Sequence, residues 1–300
     1  MALLAGVNYD PASAVSKATS SRLAMTAFDT TNLRLSFTVP PNGKVMVRLR
    51  CTLLGATTFP AILLGVLQST TVIARIAPVG ALLGTALATT RVTQEALFTI
   101  GGLTPGASLT WDAAYGVEIL LASTNIKYGG PNTTSGADAW GGIQFEVWEA
   151  TGLLGTILYD PSTRASLSCA SLLAMTAMDT TNLRITFTAP ASGKVLIRMK
   201  GQLHGATTFS QILFGVLEGS TIRARTQPLG GLRSTAVATA LLTQEGQAVV
   251  TGLTPGNSYT FDAAYAVQTA VTSCTLKYGG PNNTTTDDAA GGFLFEIWTA

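Results

Sequence analysis

Charge is scarce in this chain: Lys, Arg, Asp and Glu together make up 11% of 300 residues, and 18 basic against 16 acidic side chains leave a net charge of +2. No basic run is present. The electrostatic footprint of a phosphate-backbone binder or of a polybasic membrane anchor is therefore missing, and neither nucleic acid nor a membrane is expected as a partner. Histidine is scarcer still, since His204 stands alone. A mononuclear site of several histidines is excluded within one chain, and at most one histidine-based triad remains. Hydrophobic residues, by contrast, reach 47%, too many for an extensively disordered chain.

Cysteine is sparse as well. Cys51, Cys169 and Cys274 are odd in number, which argues against a disulfide framework and for folding in a reducing compartment. They read as small buried hydrophobes. The N-terminal Met-Ala-Leu-Leu-Ala-Gly-Val has no basic stretch and too short an apolar run for a signal peptide. Secretion by that route is not expected, and the glycosylation sequons at Asn132, Asn282 and Asn283 carry no weight without it. The longest uncharged stretch, Cys51 to Ala74, approaches the roughly 20 residues of a membrane helix. Its Gly, Thr and Gln content, and the His204 and Glu218 of the matching stretch 150 residues on, indicate strands instead.

What is abundant is internal repetition. Shifted by 150 residues, the chain matches itself from end to end without a gap, with about half of the aligned positions identical. Asp29-Thr30-Thr31-Asn32-Leu33-Arg34 recurs as Asp179 to Arg184, Gly55-Ala56-Thr57-Thr58-Phe59 as Gly205 to Phe209, and Lys127-Tyr128-Gly129-Gly130-Pro131-Asn132 as Lys277 to Asn282. A unit of that length is a domain, not a solenoid repeat. Domains over 1–150 and 151–300 are expected, with the boundary just beyond Trp148 at a short Gly-containing stretch. The three cysteines face Gly201, Thr19 and Thr124 in the other copy, so none belongs to a shared framework.

Alternation with period two marks half-buried strands. Leu33, Leu35, Phe37 and Val39 point one way, and Arg34, Ser36 and Thr38 the other. Val45, Val47, Leu49 and Cys51 alternate with Lys44, Arg48 and Arg50, and the second copy sets Val195, Ile197 and Met199 against Lys194, Arg198 and Lys200. Pro40-Pro41-Asn42-Gly43 between these runs is a hairpin turn. Further strands near 60–68, 71–76, 92–100, 107–121 and 140–148, with the Leu23–Phe28 segment, bring the number to about eight per copy, and no helical stripe is present. The expected class is all-β: two tandem antiparallel jelly-roll sandwich domains. An immunoglobulin-type sandwich is the runner-up, disfavoured because it needs only about 100 residues.

Asp112 and Asp262 each sit in a long apolar strand, where a carboxylate needs a partner. They are expected to form structural ion pairs with Arg48, Arg50, Arg198 or Lys200 across the sheet; the catalytic reading, with Glu95 or Glu245 as second carboxylate, requires a cleft that the sequence does not show. The polar loop from Tyr128 to Gly142 and its copy offer Tyr128, Asn132, Asp138, Trp140, Tyr278, Asn282, Asp287 and Asp288 as surface contacts. The spacing of a calcium loop and the lysine of a phosphate loop are both missing there, so no metal and no cofactor are expected. Trp140 stands where the second copy has Ala290, and an aromatic at a loop end suits contact with glycan or protein.

Asp29 to Arg34, Gly43-Lys44-Val45, Gly55 to Thr58, Trp111-Asp112-Ala113-Ala114-Tyr115 and Tyr128 to Asn132 together resemble structural proteins of tailed bacteriophages, which are similar to the trimeric jelly rolls of the C1q and tumour necrosis factor type. The resemblance implies a virion component, either a capsid decoration protein or a compact head or tail fibre module, assembled in the host cytoplasm. It supplies no catalytic residues. The mean hydropathy of +0.36 also implies that part of the outer surface is covered by other subunits. The expectation is a non-enzymatic virion protein, a homotrimer bound to capsid or tail proteins. A carbohydrate- or receptor-binding module using Trp140 against a host glycan is the alternative, and a hydrolase using Asp112 or Glu95 a third reading.

Overall fold

The alternating runs form strands because every second side chain enters a shared apolar interior. In the computed structural model all residues are described except 20–23, 56–57, 60, 80–83, 86–89, 118–123, 132–138, 171–173, 206–210, 230–239, 269 and 282–288. The described residues form strands and turns, with no helix. The first repeat contributes β1 (Leu3–Tyr9), β2 (Val15–Ala18), β3 (Thr26–Ala27), β4 (Arg34–Thr38), β5 (Val45–Gly55), β6 (Thr58–Phe59) and β7 (Ile62–Gln68). It continues with β8 (Thr71–Ile76), β9 (Gly84–Thr85), β10 (Thr90–Ile100), β11 (Ser108–Val117), β12 (Thr124–Tyr128) and β13 (Ile143–Glu149). The second contributes β14 (Leu153–Tyr159), β15 (Ala165–Ser168), β16 (Thr176–Ala177), β17 (Arg184–Thr188), β18 (Val195–Gly205) and β19 (Ile212–Glu218). It ends with β20 (Thr221–Thr226), β21 (Ala240–Val250), β22 (Ser258–Val267), β23 (Cys274–Tyr278) and β24 (Phe293–Thr299).

In the first repeat β5 is the axis of the broad sheet. β10 pairs with it along its whole length, from Thr90 opposite Gly55 to Ile100 opposite Val45. The other side of β5 is shared between β13, flanked by β1, and β12, flanked by β2. The narrow sheet centres on β11, with β4 and β3 on one side and β7, then β8, on the other. Numbering β1, β4, β5, β7, β8, β10, β11 and β13 as 1 to 8, the two sheets run 1-8-3-6 and 2-7-4-5, and the second repeat follows the same order. That double Greek key is the jelly roll. Every ladder is antiparallel, and the described residues between Cys51 and Ala74 lie in β5, β6, β7 and β8 and the turns between them.

Each sandwich has a core of its own strands, with Leu33, Val47, Phe98, Trp111 and Phe145 in the first and Leu183, Ile197, Phe214, Phe261 and Phe295 in the second, and Leu294 of the second repeat also joins the first. All three cysteines are buried, and burial pushes the Cys51 thiol up to about 12. The repeated Asp-Thr-Thr-Asn block is a turn. Asp29 Oδ1 accepts the backbone N–H groups of Thr31 and Asn32 at 2.8 and 2.9 Å, and Asp179 does the same in its copy.

The β4–β5 turn depends on Gly43, whose φ of +64° is strained for any residue with a Cβ. A Cβ there would also lie 2.6 Å from the Leu103 carbonyl oxygen. Gly43→Ala is therefore expected to destabilise the protein by more than the roughly 1 kcal/mol of the backbone effect alone. Urea unfolding of wild type and variant measures this, and an unchanged midpoint would contradict the assignment.

Candidate functional site

Asp112 does not reach Arg48 or Arg50. Those arginines are on the outer face of β5 in the broad sheet, whereas Asp112 is in β11 of the narrow sheet, directly opposite Arg34 of β4. Arg34 Nε and Nη2 donate to the two carboxylate oxygens of Asp112 at 2.7 and 2.9 Å. Arg184 holds Asp262 identically, at 2.6 and 2.9 Å. The pairing expected from sequence is thus corrected by register: the cross-strand neighbour on the same face takes the carboxylate. Arg48 and Arg50 instead share Glu95, at 2.9 and 2.7 Å. Burial pushes the Glu95 carboxyl up, but hydrogen bonds from Arg50 and Arg48 outweigh it and hold the group below its ordinary value. Asp112 and Glu95, the two carboxylates of the catalytic reading, lie in opposite sheets, Asp112 held by Arg34 and Glu95 by Arg48 and Arg50.

The loop contacts also need correction. Tyr128 and Tyr278 are core residues, because Thr124, Ile126 and Tyr128 of β12 and their counterparts in β23 face inward. They pack against Tyr9 and Tyr159, and burial pushes both phenols up to about 12. Asn132, Asp138, Asn282, Asp287 and Asp288 lie outside the described residues. Trp140 is half-buried, with the Lys127 ammonium 5.0 Å from its ring centroid. Among the described residues no group of three or more His, Cys, Asp or Glu side chains is placed to hold a metal ion.

The feature that sequence reasoning missed is the seam between the two sandwiches. β8 and β10 of the first lie against the broad sheet of the second, and Arg75 of β8 is fully buried there. Arg75 Nε and Nη2 donate to Asp160 at 2.8 and 3.1 Å, Nη1 donates to the Pro281 carbonyl at 2.9 Å, and Nη2 also meets the Gly280 carbonyl. Burial raises the Asp160 carboxyl above its ordinary value against the pull of Arg75. Thr99 of β10 donates to Glu296 at 2.7 Å and bonds Thr156 at 2.5 Å. Arg198 donates to the Leu97 carbonyl at 3.4 Å, and Leu294 of β24 joins the first sandwich's apolar core.

The seam buries in the second domain a charged row that stays partly open in the first. Arg198 is clamped by Glu245 at 2.8 Å and by Glu296 at 3.2 Å, while its counterpart Arg48 keeps 31% of its side chain exposed. Lys200, expected in an ion pair, is corrected: it is fully buried and its Nζ has no hydrogen-bond partner among the described residues. Its cross-strand neighbours are Glu245 and Leu294, and the carboxylate of Glu245 is taken by Arg198. The one signal for the seam in the sequence was polarity differing between copies, as at Ile73 and Arg223 or Leu294 and Gln144.

No family model and no curated protein matches the chain. Among solved structures it is similar to PNGase F, a glycosylasparaginase from Flavobacterium meningosepticum, at 11% identity and a TM-score of 0.32 over 96% of both chains. It is also similar to the CBM22-1–CBM22-2 tandem of Paenibacillus barcinonensis Xyn10C, at 10% identity and a TM-score of 0.24 over 99% of this chain and 98% of that one. A third likeness is to the infectious bursal disease virus particle protein, at 11% identity and a TM-score of 0.23 over 96% and 78% of the two chains. Likeness at these levels concerns the β-sandwich fold alone. The expectation of a non-enzymatic protein is nevertheless overturned as a deduction from architecture, because the neighbours include an amidase and a fold of this kind does not exclude catalysis.

Lys200 yields a prediction with a defined sign. Burial, with Arg198 nearby, depresses its ammonium to about 8 from an ordinary 10.5. The unfolded chain binds this proton more tightly, so the group's destabilising effect is complete below pH 8 and fades as pH rises towards 10.5. Lys200→Met is expected to stabilise the protein at pH 7 by about 1–4 kcal/mol and to flatten its stability between those pH values. Thermal unfolding across pH measures both, and a lowered melting temperature would contradict the assignment.

Proposed function

We propose that the chain is a virion structural protein, a capsid decoration or compact head or tail fibre component assembled in the host cytoplasm as a homo-oligomer of three copies. One observation carries the reading: each side of the seam has a counterpart in the other domain that faces solvent. Arg75 is fully buried and its copy Arg225 is exposed; Thr99 is fully buried and its copy Val249 is 54% exposed. Ile222 at 48% and Leu229 at 72% extend the uncovered apolar surface on the same side. A chain that satisfies half of a two-sided contact internally and exposes the other half is shaped to receive neighbours. Exposed apolar surface bordered by arginine is the usual mark of such a contact.

The second reading, binding of a host glycan, rests on the partly exposed Trp140 ring at the rim of the first domain. Light scattering over a range of concentrations, combined with a glycan array, separates the two. The assembly reading expects a stable species near three times 31.0 kDa and no Trp140-dependent glycan signal. A monomer at every concentration, with glycan binding that falls on Trp140→Ala, would replace it with the second.

A further inference from the structure

We infer that the open edge of the second domain receives the first domain of another copy of this chain, with Trp140 of that copy seated in the cleft beside Arg225. This rests on the assembly reading and names the surfaces that would carry it. The cleft measures about 610 Å³ and is lined by Leu213, Arg225, Thr226, Gln227, Val267 and Gln268. In the first domain the matching place, beside Leu63, Arg75 and Ala77, is filled from within the chain by the Ala289–Gly292 segment. Ala289 packs with Leu63 and Ala77, and the Gly292 N–H donates to the Arg75 carbonyl at 2.9 Å.

The segment that would fill the second cleft already has the required backbone. Gly279 donates to Gly291 and Ala290 to Gly279, both at 2.7 Å; Gly129 donates to Gly141 and Trp140 to Gly129, both at 2.8 Å. The cradle for the guanidinium is repeated too. Gly280 donates to the Pro161 carbonyl at 2.8 Å and Gly130 to the Pro11 carbonyl at 2.9 Å, so the carbonyls of Gly130 and Pro131, with the Asp10 carboxylate, correspond to the groups that hold Arg75. Arg225 and Asp10 are exposed, and neither makes an ion pair with a described residue.

The differences between the copies are matched in pairs. At the internal seam Ile76 and Ala77 meet a segment bearing Ala289 and Ala290; at the open one Thr226 and Gln227 would meet Ala139 and Trp140. Ala290 is buried in the filled internal seam, whereas the larger indole of Trp140 would need the open cleft. Ile73 lies with Leu158 across the internal seam, whereas their copies are Arg223 and Asn8. For this pair apolar meets apolar within the chain and polar meets polar between chains, and exchanging the partners would desolvate Arg223 against Leu158. Each chain thus offers one donor edge and one acceptor face, and copies join head to tail.

Sedimentation velocity of the full chain tests this with Arg225→Glu, Asp10→Arg, the two combined, and Trp140→Ala. All three positions are at least partly exposed, so unchanged melting temperatures are expected to certify folding. Either charge reversal and Trp140→Ala should weaken association roughly tenfold or more, and the combined reversal should recover part of that loss, because opposite charges again face each other while the two carbonyls stay unpaired. Wild-type association that persists in all the single variants would overturn this interface while leaving the assembly reading intact. A wild type that stays a single chain at every concentration would overturn both.

Discussion

The guanidinium of Arg75 is the constraint on which the arrangement of the two sandwiches depends. A fully buried cation must be neutralised and have its donors filled, or the fold bears a cost of several kcal/mol. Here every acceptor comes from the second domain: both oxygens of Asp160 and the carbonyls of Gly280 and Pro281. The fork geometry of arginine fits the carboxylate on one side and two peptide oxygens on the other, which a lysine could not do. Once this contact is made, β10 lies over the outer face of β18 and β24. Arg198, Glu245 and Glu296 then form a desolvated network, and Lys200 is left buried without a hydrogen-bond partner among the described residues.

Duplication explains why such a seam leaves work undone. Two copies of one domain each carry an edge and a face that fit each other, but one linkage satisfies only one edge and one face. The remaining edge bears Arg225 and Val249, and the remaining face bears Arg48, Glu95 and Glu146. Within the sandwiches the copies have kept the Arg34–Asp112 and Arg184–Asp262 forks and the Asp29 and Asp179 turns, where geometry allows little else. On the edges and faces they have diverged, as at Ile73 and Arg223, Thr99 and Val249, or Leu158 and Asn8.

Local rules made the fold legible. Alternation at Val45, Val47 and Leu49 placed a strand and its inner face, and Pro40 to Gly43 placed the turn, since both follow from dihedrals and period. Register was not legible: Asp112 is 78 residues from Arg34, and nothing near either residue says which strands will lie side by side. Tyr128 was misread as a loop residue because it is the last residue of a strand, where alternation gives way to Gly129 and Gly130. The seam stayed hidden because Arg75 and Arg225 are identical in sequence, and only tertiary packing makes one buried and the other exposed. Catalysis, in turn, cannot be read from the architecture in either direction.

A double-mutant cycle on Arg75 and Asp160 addresses the central claim most directly. Unfolding free energies of wild type, Arg75→Ala, Asp160→Ala and the double variant give the coupling between the two residues, free of the other contacts each makes. A bidentate pair that joins the domains predicts coupling of roughly 1–3 kcal/mol, with both single variants less stable than wild type. Coupling indistinguishable from zero would mean that the sandwiches are not held together through Arg75, and the account of the seam and of its open counterpart would fall with it.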